Sequence, residues 1–456
     1  MGGRRHVSPA RRVACDVLLQ VETRRHWAGE LLRRTARQLE PADAALATEL
    51  VFGVLRWQRW LDFLLGKLAR RPTAQLDLPL RIVLRVGLYQ LLFLDRIPAH
   101  AAVYEAVELA RRMGRASAAG LVNAVLRAAL RADLAGRDRA TWLPDGLSEV
   151  SRLGLLFSHP DWLVERWLQY FGRARTERLL AFNNTPAPLS CTLLEPAQAQ
   201  TAFVEERFRI VPGELMQTAV RVQGGPLLRS KAFRRGWILI QDEASQAVAW
   251  LVGSTHGMRL LDLCAAPGNK TAVLVRLLGP PALAVAADRR LARLRAMRGL
   301  LRRVGAGTVH LVALDATRPL PFGQAFERVL ADVPCSGTGT LARNPEIRWR
   351  LHPGDLPVLA ARQRAILENA VQLLAPGGRL IYSTCSLEAE ENEQVIETIL
   401  AAHPGLRLVS DAVQGLETVL QPPWVPEALR DTRGYFRTFP PETGTDGFFA
   451  AVLERR

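Results

Sequence analysis

A doubly wound, mostly parallel α/β sheet in the C-terminal half, preceded by an all-α domain and a small α+β unit, is the fold the sequence predicts. Three observations carry it: helical periodicity almost unbroken to about residue 130, a polar segment broken by Gly and Pro near residue 140, and, after Gly236, short apolar runs alternating with helical stretches. At 456 residues the chain is too long for one core, and such a length corresponds to about three domains.

Val13, Val17 and Val21 recur at i+4 with Ala14 and Leu18 beside them, and residues 46–68 repeat the stripe. That spacing lines one face of a helix with apolar side chains. Turn punctuation at Pro41, at Arg71-Pro72 and at Ile97-Pro98 divides the region into helices joined by short loops. The stretch RADLAGRDRATWLPDG (131–146) sets a boundary near 140, so the all-α domain is expected over 1–138. SHPDWLVERWLQYFG, from Ser158, is helical again, and shorter apolar runs with turn residues follow NNTPAP (183–188); together they suggest a linker and small α+β unit over 139–235. Over 236–456, apolar runs at 258–263, 282–287, 309–314, 326–331 and 379–383 alternate with helical patterns, as the strands of a parallel sheet do. Sheets of this kind bind ligands beyond the carboxyl ends of their strands, so chemistry is to be sought just after each run.

The formal net charge of +16 favours a polyanionic partner, nucleic acid first, because clustered guanidinium groups neutralise phosphates and release counterions. The charge is carried almost wholly by arginine, since Lys67, Lys231 and Lys270 are the only lysines. Arg4, Arg5, Arg11 and Arg12 are candidates for gripping phosphates. The five cysteines are odd in number, widely spaced and without a CxxC pair, which argues against a disulfide framework and against a zinc site. MGGRRHVSPARR lacks a following apolar segment, and no apolar run approaches the roughly 18 residues of a membrane span. No metal, no membrane and a cytoplasmic location are the expectations.

LLDLCAAPGNKT (260–271) follows the first run of the alternating region and opens into a helix. Small residues and Gly268 let backbone N–H groups approach a ligand, and the helix start behind Lys270 favours negative charge. Asp288 ends the next run, where a carboxylate suits the two hydroxyls of a ribose or caps the following helix. Asp315 closes the third run and Asp332 the fourth, so three acids stand at one edge of the sheet. DVPCSGTGT (332–340) and STCS (383–386) each put a cysteine just past a strand. A lone cysteine is usually a small hydrophobe, but two thiols on neighbouring strand ends, beside an aspartate, point to chemistry. After Cys385, Ser386 can cap a helix, Glu388, Glu390 and Glu391 complement its positive start from the solvent side, and Val395, Ile396, Ile399 and Leu400 supply its buried face. Cys385 is then expected at a helix N-terminus, where thiolate is stabilised. A cysteine, an acid and a nucleoside cofactor suit methylation of cytosine: thiolate added to C6 makes C5 nucleophilic toward an electrophilic methyl group, and an acid at the N3 or N4 edge stabilises the charge that develops.

LDLCAAPGNKT, DVPCSGTGT and YSTCSLEAEENE resemble, nearly letter for letter, motifs of the RsmB/Sun (NOL1/NOP2/Sun) family of RNA 5-methylcytosine methyltransferases. The similarity extends to GWILIQDEASQ (236–246), RNPEIRW (343–349) and DGFFAAVLE (446–454), and ELVFGVLR, GLYQLLFLDRIPAHAAVYEAVELA and GLVNAVLR resemble the NusB-type RNA-binding domain. The resemblance implies a Rossmann-like methyltransferase domain, S-adenosyl-L-methionine as cofactor, and cytosine 967 of 16S rRNA, naked or in an assembling small ribosomal subunit, as substrate. It further implies that Cys385 is the nucleophile, Cys335 assists release, and Asp332 lies near both methyl donor and cytosine. Cys264, Ala265, Ala266, Pro267, Gly268, Asn269 and Lys270 would meet the cofactor's methionine end, Asp288 its ribose and Asp315 its adenine side. Three departures stand out: PGNK where the family has PGGK, so that Asn269 must take a glycine's geometry; DVPC for DAPC; and PAPLSCT (186–192) for an Arg-containing LRVN. The rival readings are a transfer-RNA cytosine methyltransferase and a non-catalytic NusB-type RNA-binding factor. An adenine N-methyltransferase is disfavoured because DVPC lacks an aromatic to stack the base.

Overall fold

A computed structural model describes residues 7–24, 26–35, 38–323 and 325–456; Arg4 and Arg5 lie outside them. The chain divides into two compact units, residues up to Pro186 with Leu341–Arg350, and Ala187–Thr340 with Leu351–Arg456. The divisions expected at 138 and 235 thus fall inside these units rather than at their edges.

The first unit is helical: Pro9–Arg24, Ala28–Thr35, Pro41–Ala69, Leu78–Phe93, Ala99–Arg112, Ala119–Arg131, Glu149–Leu156 and Asp161–Phe182. Pro41 opens its helix at the position where a missing N–H costs nothing. Val17, Leu18 and Val21 pack with Leu50, Val54, Leu61, Val83, Val86 and Leu126 in one core, each contributing about 1.5–3 kcal/mol of apolar burial before entropy. Gly53 admits the Tyr89 ring, which would stand 2.0 Å from a Cβ there. Arg11 is buried and committed to Gln90 at 2.7 Å and Glu105 at 3.5 Å, so it is no phosphate grip; Arg12 is exposed.

Residues 139–186 belong here because their polar start conceals an apolar stripe, Leu163, Val164 and Trp167, that is fully buried. The Arg59 amide donates to Ser158 Oγ at 3.0 Å, and the Arg59 guanidinium meets Asp161 at 2.6 Å. The RNPEIRW segment is also built into this unit: Trp349 Nε1 donates to the Leu55 carbonyl at 2.7 Å, and the fully buried Arg348 donates to the carbonyls of Ser158 (3.2 Å) and Asn183 (2.9 Å) and to Asn184 Oδ1 (2.9 Å).

The second unit holds two sheets. Strands β1 (Ser190–Leu193), β2 (Arg209–Pro212), β3 (Ala219–Gln223) and β4 (Ile238–Ile240) form a small antiparallel sheet in the order β2-β3-β1-β4, with the helix Pro196–Glu205. Cys191, in the PAPLSCT departure, is fully buried there, and burial pushes its thiol up to about 12. The large sheet is made of β5 (Arg259–Asp262), β6 (Leu283–Asp288), β7 (His310–Ala313), β8 (Phe326–Asp332), β9 (Leu374–Thr384), β10 (Leu406–Leu408), β11 (Phe436–Arg437) and β12 (Phe449–Arg455). Its order is β10-β12-β9-β8-β5-β6-β7, with β11 on β12. The five strands β5 to β9 are parallel, and β12 adds antiparallel to β9.

Alternate residues of the central strands enter opposite cores. Leu260, Leu330 and Ile381 face the layer of helices Glu243–Trp250, Asn269–Leu277 and Leu291–Arg303; Leu261, Ala331 and Tyr382 face Asp355–Gln372 and Glu393–Ala402. Burial on both faces is what makes these strands read as continuous apolar runs. Because β6 and β8 leave β5 on opposite sides, the crevice of this doubly wound sheet opens at the carboxyl ends of β5 and β8.

Candidate active site

The first βα turn runs from Asp262 through Cys264, Ala265, Ala266 and Pro267 to Gly268, whose φ of 104° no L side chain takes comfortably and which a Cβ would set 2.7 Å from Met297 Cγ. Asn269 is the first residue of the helix, and its Nδ2 donates to the Ile240 carbonyl at 2.8 Å. The glycine-like geometry expected of Asn269 therefore does not arise; the left-handed turn is confined to Gly268. Lys270 does not stand free at the helix start. Its Nζ pairs with Asp332 Oδ2 at 2.8 Å and lies 4.9 Å from the Phe448 ring centre.

Asp332 ends β8, and its other oxygen accepts from Ser383 Oγ at 2.7 Å. A cavity of about 100 Å³ is lined by Ser245, Asp262, Cys264, Ala265, Ala266, Pro267, Asn269, Lys270 and Asp332. Burial pushes the Asp262 carboxyl up to about 7, with Thr271 donating to it at 2.6 Å and Asp332 adding repulsion. The other Asp262 oxygen is buried without a protein partner, which suits a donor on a bound ligand. Burial drives the Cys264 thiol far above its ordinary range, with Asp262, Asp332 and Asp288 acting in the same sense; such a thiol stays protonated.

Asp288 ends β6, accepting from the Arg290 amide at 2.8 Å and from Arg293 Nη1 at 3.1 Å, while Arg293 also bonds the Ala266 carbonyl. Asp315, two residues past β7, accepts from the amide and hydroxyl of Thr317 at 3.1 and 2.7 Å, bonds that hold its carboxyl below the ordinary range. Asp262, between Asp288 and Asp332 in the sheet order, is a fourth strand-end acid that the sequence reading passed over, although its place at the end of an apolar run carried the same signal as the other three.

The two thiols meet. Cys335 Sγ and Cys385 Sγ are 3.2 Å apart, both half-buried, well beyond a disulfide bond length. The hydrogen bond with Cys385, then burial, raises the Cys335 thiol well above its ordinary value. Neither sulfur lines the cavity that holds Asp332.

Two expectations about Cys385 need correction. The helix behind it begins only at Glu393, after the turn Ala389–Glu391, so Cys385 is not at a helix N-terminus; Ser386 instead turns its hydroxyl to the Glu388 amide, at 3.1 Å, and closes a local turn. Glu388 and Glu391 are fully buried rather than solvent-facing.

Among the described residues no cluster of three or more His, Cys, Asp or Glu could hold a metal ion, and no helix is long and apolar enough to cross a membrane.

Residues 249–454 match the family described as 16S rRNA methyltransferase RsmB/F, and residues 8–131 match the NusB family. The fold and these matches define an S-adenosylmethionine-dependent RNA (cytosine-C5)-methyltransferase preceded by a NusB domain. The chain is 34% identical to the probable ribosomal RNA small subunit methyltransferase B of a Synechocystis strain, covering 98% of this chain and 99% of that protein. It is 35% identical to ribosomal RNA small subunit methyltransferase B of Pseudomonas putida, over 91% of each. The crystal structure of PH0851 matches with a TM-score of 0.80 at 25% identity over 100% of both chains. The chain belongs to the RsmB/F (Sun) family.

Proposed function

We propose that this cytoplasmic enzyme methylates C5 of cytosine 967 in 16S rRNA, alone or in an assembling small subunit, through a covalent bond between Cys385 and C6. The observation that carries this reading is the meeting of two thiols, 3.2 Å apart, on the loops after β8 and β9, with Asp332 on the first of those strands. S-adenosylmethionine, when bound, supplies an electrophilic methyl group. The residues around the β5 turn fit its methionine end, the orphan oxygen of Asp262 among them, while Asp288 serves the ribose and Asp315 the adenine side.

Addition of the Cys385 sulfur to C6 breaks the aromaticity of the ring and loads electron density on C5. Asp332, paired with Lys270 and oriented by Ser383, stands where the N3–N4 edge of cytosine can be held. After methylation a base takes the C5 proton, the C–H electrons restore the C5–C6 double bond, the C6–S bond breaks to return the Cys385 thiolate, and Cys335 assists that release. The target base has to leave its stack to reach sulfur, so an unpaired or loop nucleotide is the substrate. The net charge of +16 serves the phosphates around it.

The test is to incubate labelled S-adenosylmethionine with unmodified ribosomal RNA and with transfer RNA and to map the methylated base. Label in ribosomal RNA alone, at cytosine 967, is expected; label confined to transfer RNA replaces the substrate, and no label in either returns the protein to an RNA-binding role. Cys385→Ala is expected to abolish both turnover and the covalent RNA adduct, whereas Cys335→Ala accumulates the adduct. An adduct that persists in Cys385→Ala would reverse the two roles.

A further inference from the structure

Three uncharged donors converge on the buried carboxylate of Glu391: the Ser336 amide at 2.9 Å, Gln363 Nε2 at 2.9 Å and the Ser386 hydroxyl at 2.6 Å. Ser336 and Ser386 are the residues immediately after the two thiols, one on each loop. The same serines meet Oγ to Oγ at 3.0 Å, and Gln363 also donates to the carbonyl of Pro334, the residue before Cys335, at 3.0 Å. The hydroxyl of Tyr382, itself fully buried, holds the Glu391 backbone carbonyl at 2.5 Å. A carboxylate buried this way carries a desolvation cost of several kcal/mol that neutral filler would avoid. Its reach across two loops 50 residues apart in the chain accounts for its presence.

We propose that Glu391 is a positioning residue that clamps the Cys335 and Cys385 loops together and so fixes the spacing at which both sulfurs serve one pyrimidine ring. This rests on the reading of the two thiols given above. The clamp has an electrostatic side as well: the hydrogen bond with Cys385 and burial raise the Cys335 thiol most, and the Glu391 charge acts in the same sense, so that its removal should ease ionisation of Cys335.

Two measurements on the full chain separate the clamp from the proposed reaction. The first needs no RNA. A diazene oxidant accepts two electrons and two protons from the thiol pair, both S–H bonds break, one S–S bond forms and the diazene becomes a hydrazine; the rate is followed as loss of two hydrogens from the Cys335 and Cys385 peptides. Glu391→Ala is expected to slow this bond by about tenfold or more through misplaced sulfurs, while Glu391→Gln, which keeps an acceptor for Ser336 and Gln363, stays within about threefold. The second uses substrate RNA. Glu391→Ala lowers kcat with little change in KM, and Glu391→Gln recovers most of kcat but moves the pH dependence of adduct release to lower pH, a shift that a merely structural residue would not produce. Wild-type disulfide rate and wild-type kcat in Glu391→Ala overturn the proposal. Should that variant fail to melt cooperatively, Glu391→Gln decides, and an unshifted release profile overturns it. An adduct surviving in Cys385→Ala would instead reverse the roles proposed for the two thiols, leaving the disulfide rates to judge the clamp.

Discussion

Arg348 in the helical unit and Glu391 in the catalytic unit are both fully buried charges, and both are met by uncharged protein groups, yet what those groups belong to differs. Arg348 gathers main-chain carbonyls from separate segments, Arg56, Ser158, Asn183 and Leu341 among them, and leaves its Nε without a partner. Burial pulls its guanidinium down to about 9, and the charge of Arg56 adds to the effect. Arg85 in the same unit shows the ordinary solution, a two-pronged pair with Asp62 at 2.6 Å and a contact with Glu22. Arg348 thus sacrifices charge compensation for reach, knotting residues 341–350 to the helices around them. Glu391 does the same for two loops that carry reactive sulfur. A buried charge held by neutral groups marks a place where distant segments must keep a fixed spacing, and the groups it holds decide whether that spacing serves stability or chemistry.

The comparison breaks most visibly at Arg348. Arg348→Ala should cost the protein roughly 3–5 kcal/mol in denaturant unfolding, because several buried carbonyls lose their donor at once. Arg348→Lys should recover only part of that, since an ammonium cannot fork between carbonyls as a guanidinium does. If Arg348→Ala were as stable as wild type while Glu391→Ala unfolded, the assignment of one charge to stability and the other to chemistry would be inverted.

A smaller effect is expected from Asp262, a third buried group, whose carboxyl titrates near pH 7 rather than at the usual 3.8. With the folded pKa raised, its contribution to stability is full below about pH 4 and is lost as pH rises through 7. Asp262→Asn should remove that slope and gain on the order of 2 kcal/mol at pH 8 over the wild-type protein, read from denaturant midpoints across the range. An unchanged pH profile would mean that burial does not raise the Asp262 carboxyl. The smallest change is Trp349→Phe, which removes one hydrogen bond to the Leu55 carbonyl and should cost about 1 kcal/mol or slightly more. A cost comparable to that of Arg348→Ala would show that residues 341–350 are held by the indole and not by the guanidinium.

Much of the site is legible in the sequence. The runs that became β5 to β8 were placed within a residue or two, because strands buried on both faces carry an uninterrupted apolar signal. β9 proved longer than its apolar run: Leu374–Thr384 includes Pro376, Gly377 and Gly378, which read as a turn. The antiparallel additions β10 and β12 are not singled out as strands; the pairing of β12 with β9 and of β10 with β12 is a tertiary event with only a short alternation behind it. The glutamates after Cys385 were misjudged because an acidic run normally marks a solvated helix start, and nothing within those residues announces Ser336 or Gln363 as donors.

By itself the sequence determined the order of helices and strands, the acids at the strand ends and the two cysteine loops, since periodicity and turn chemistry act between residues a few positions apart. Only the tertiary structure decided that the two sulfurs lie 3.2 Å from each other, that Glu391 reaches Ser336 across 55 positions of chain, and that residues 341–350 join the helical unit. Those outcomes depend on which distant groups compete to satisfy a buried charge, and that competition is resolved only when the whole chain has packed.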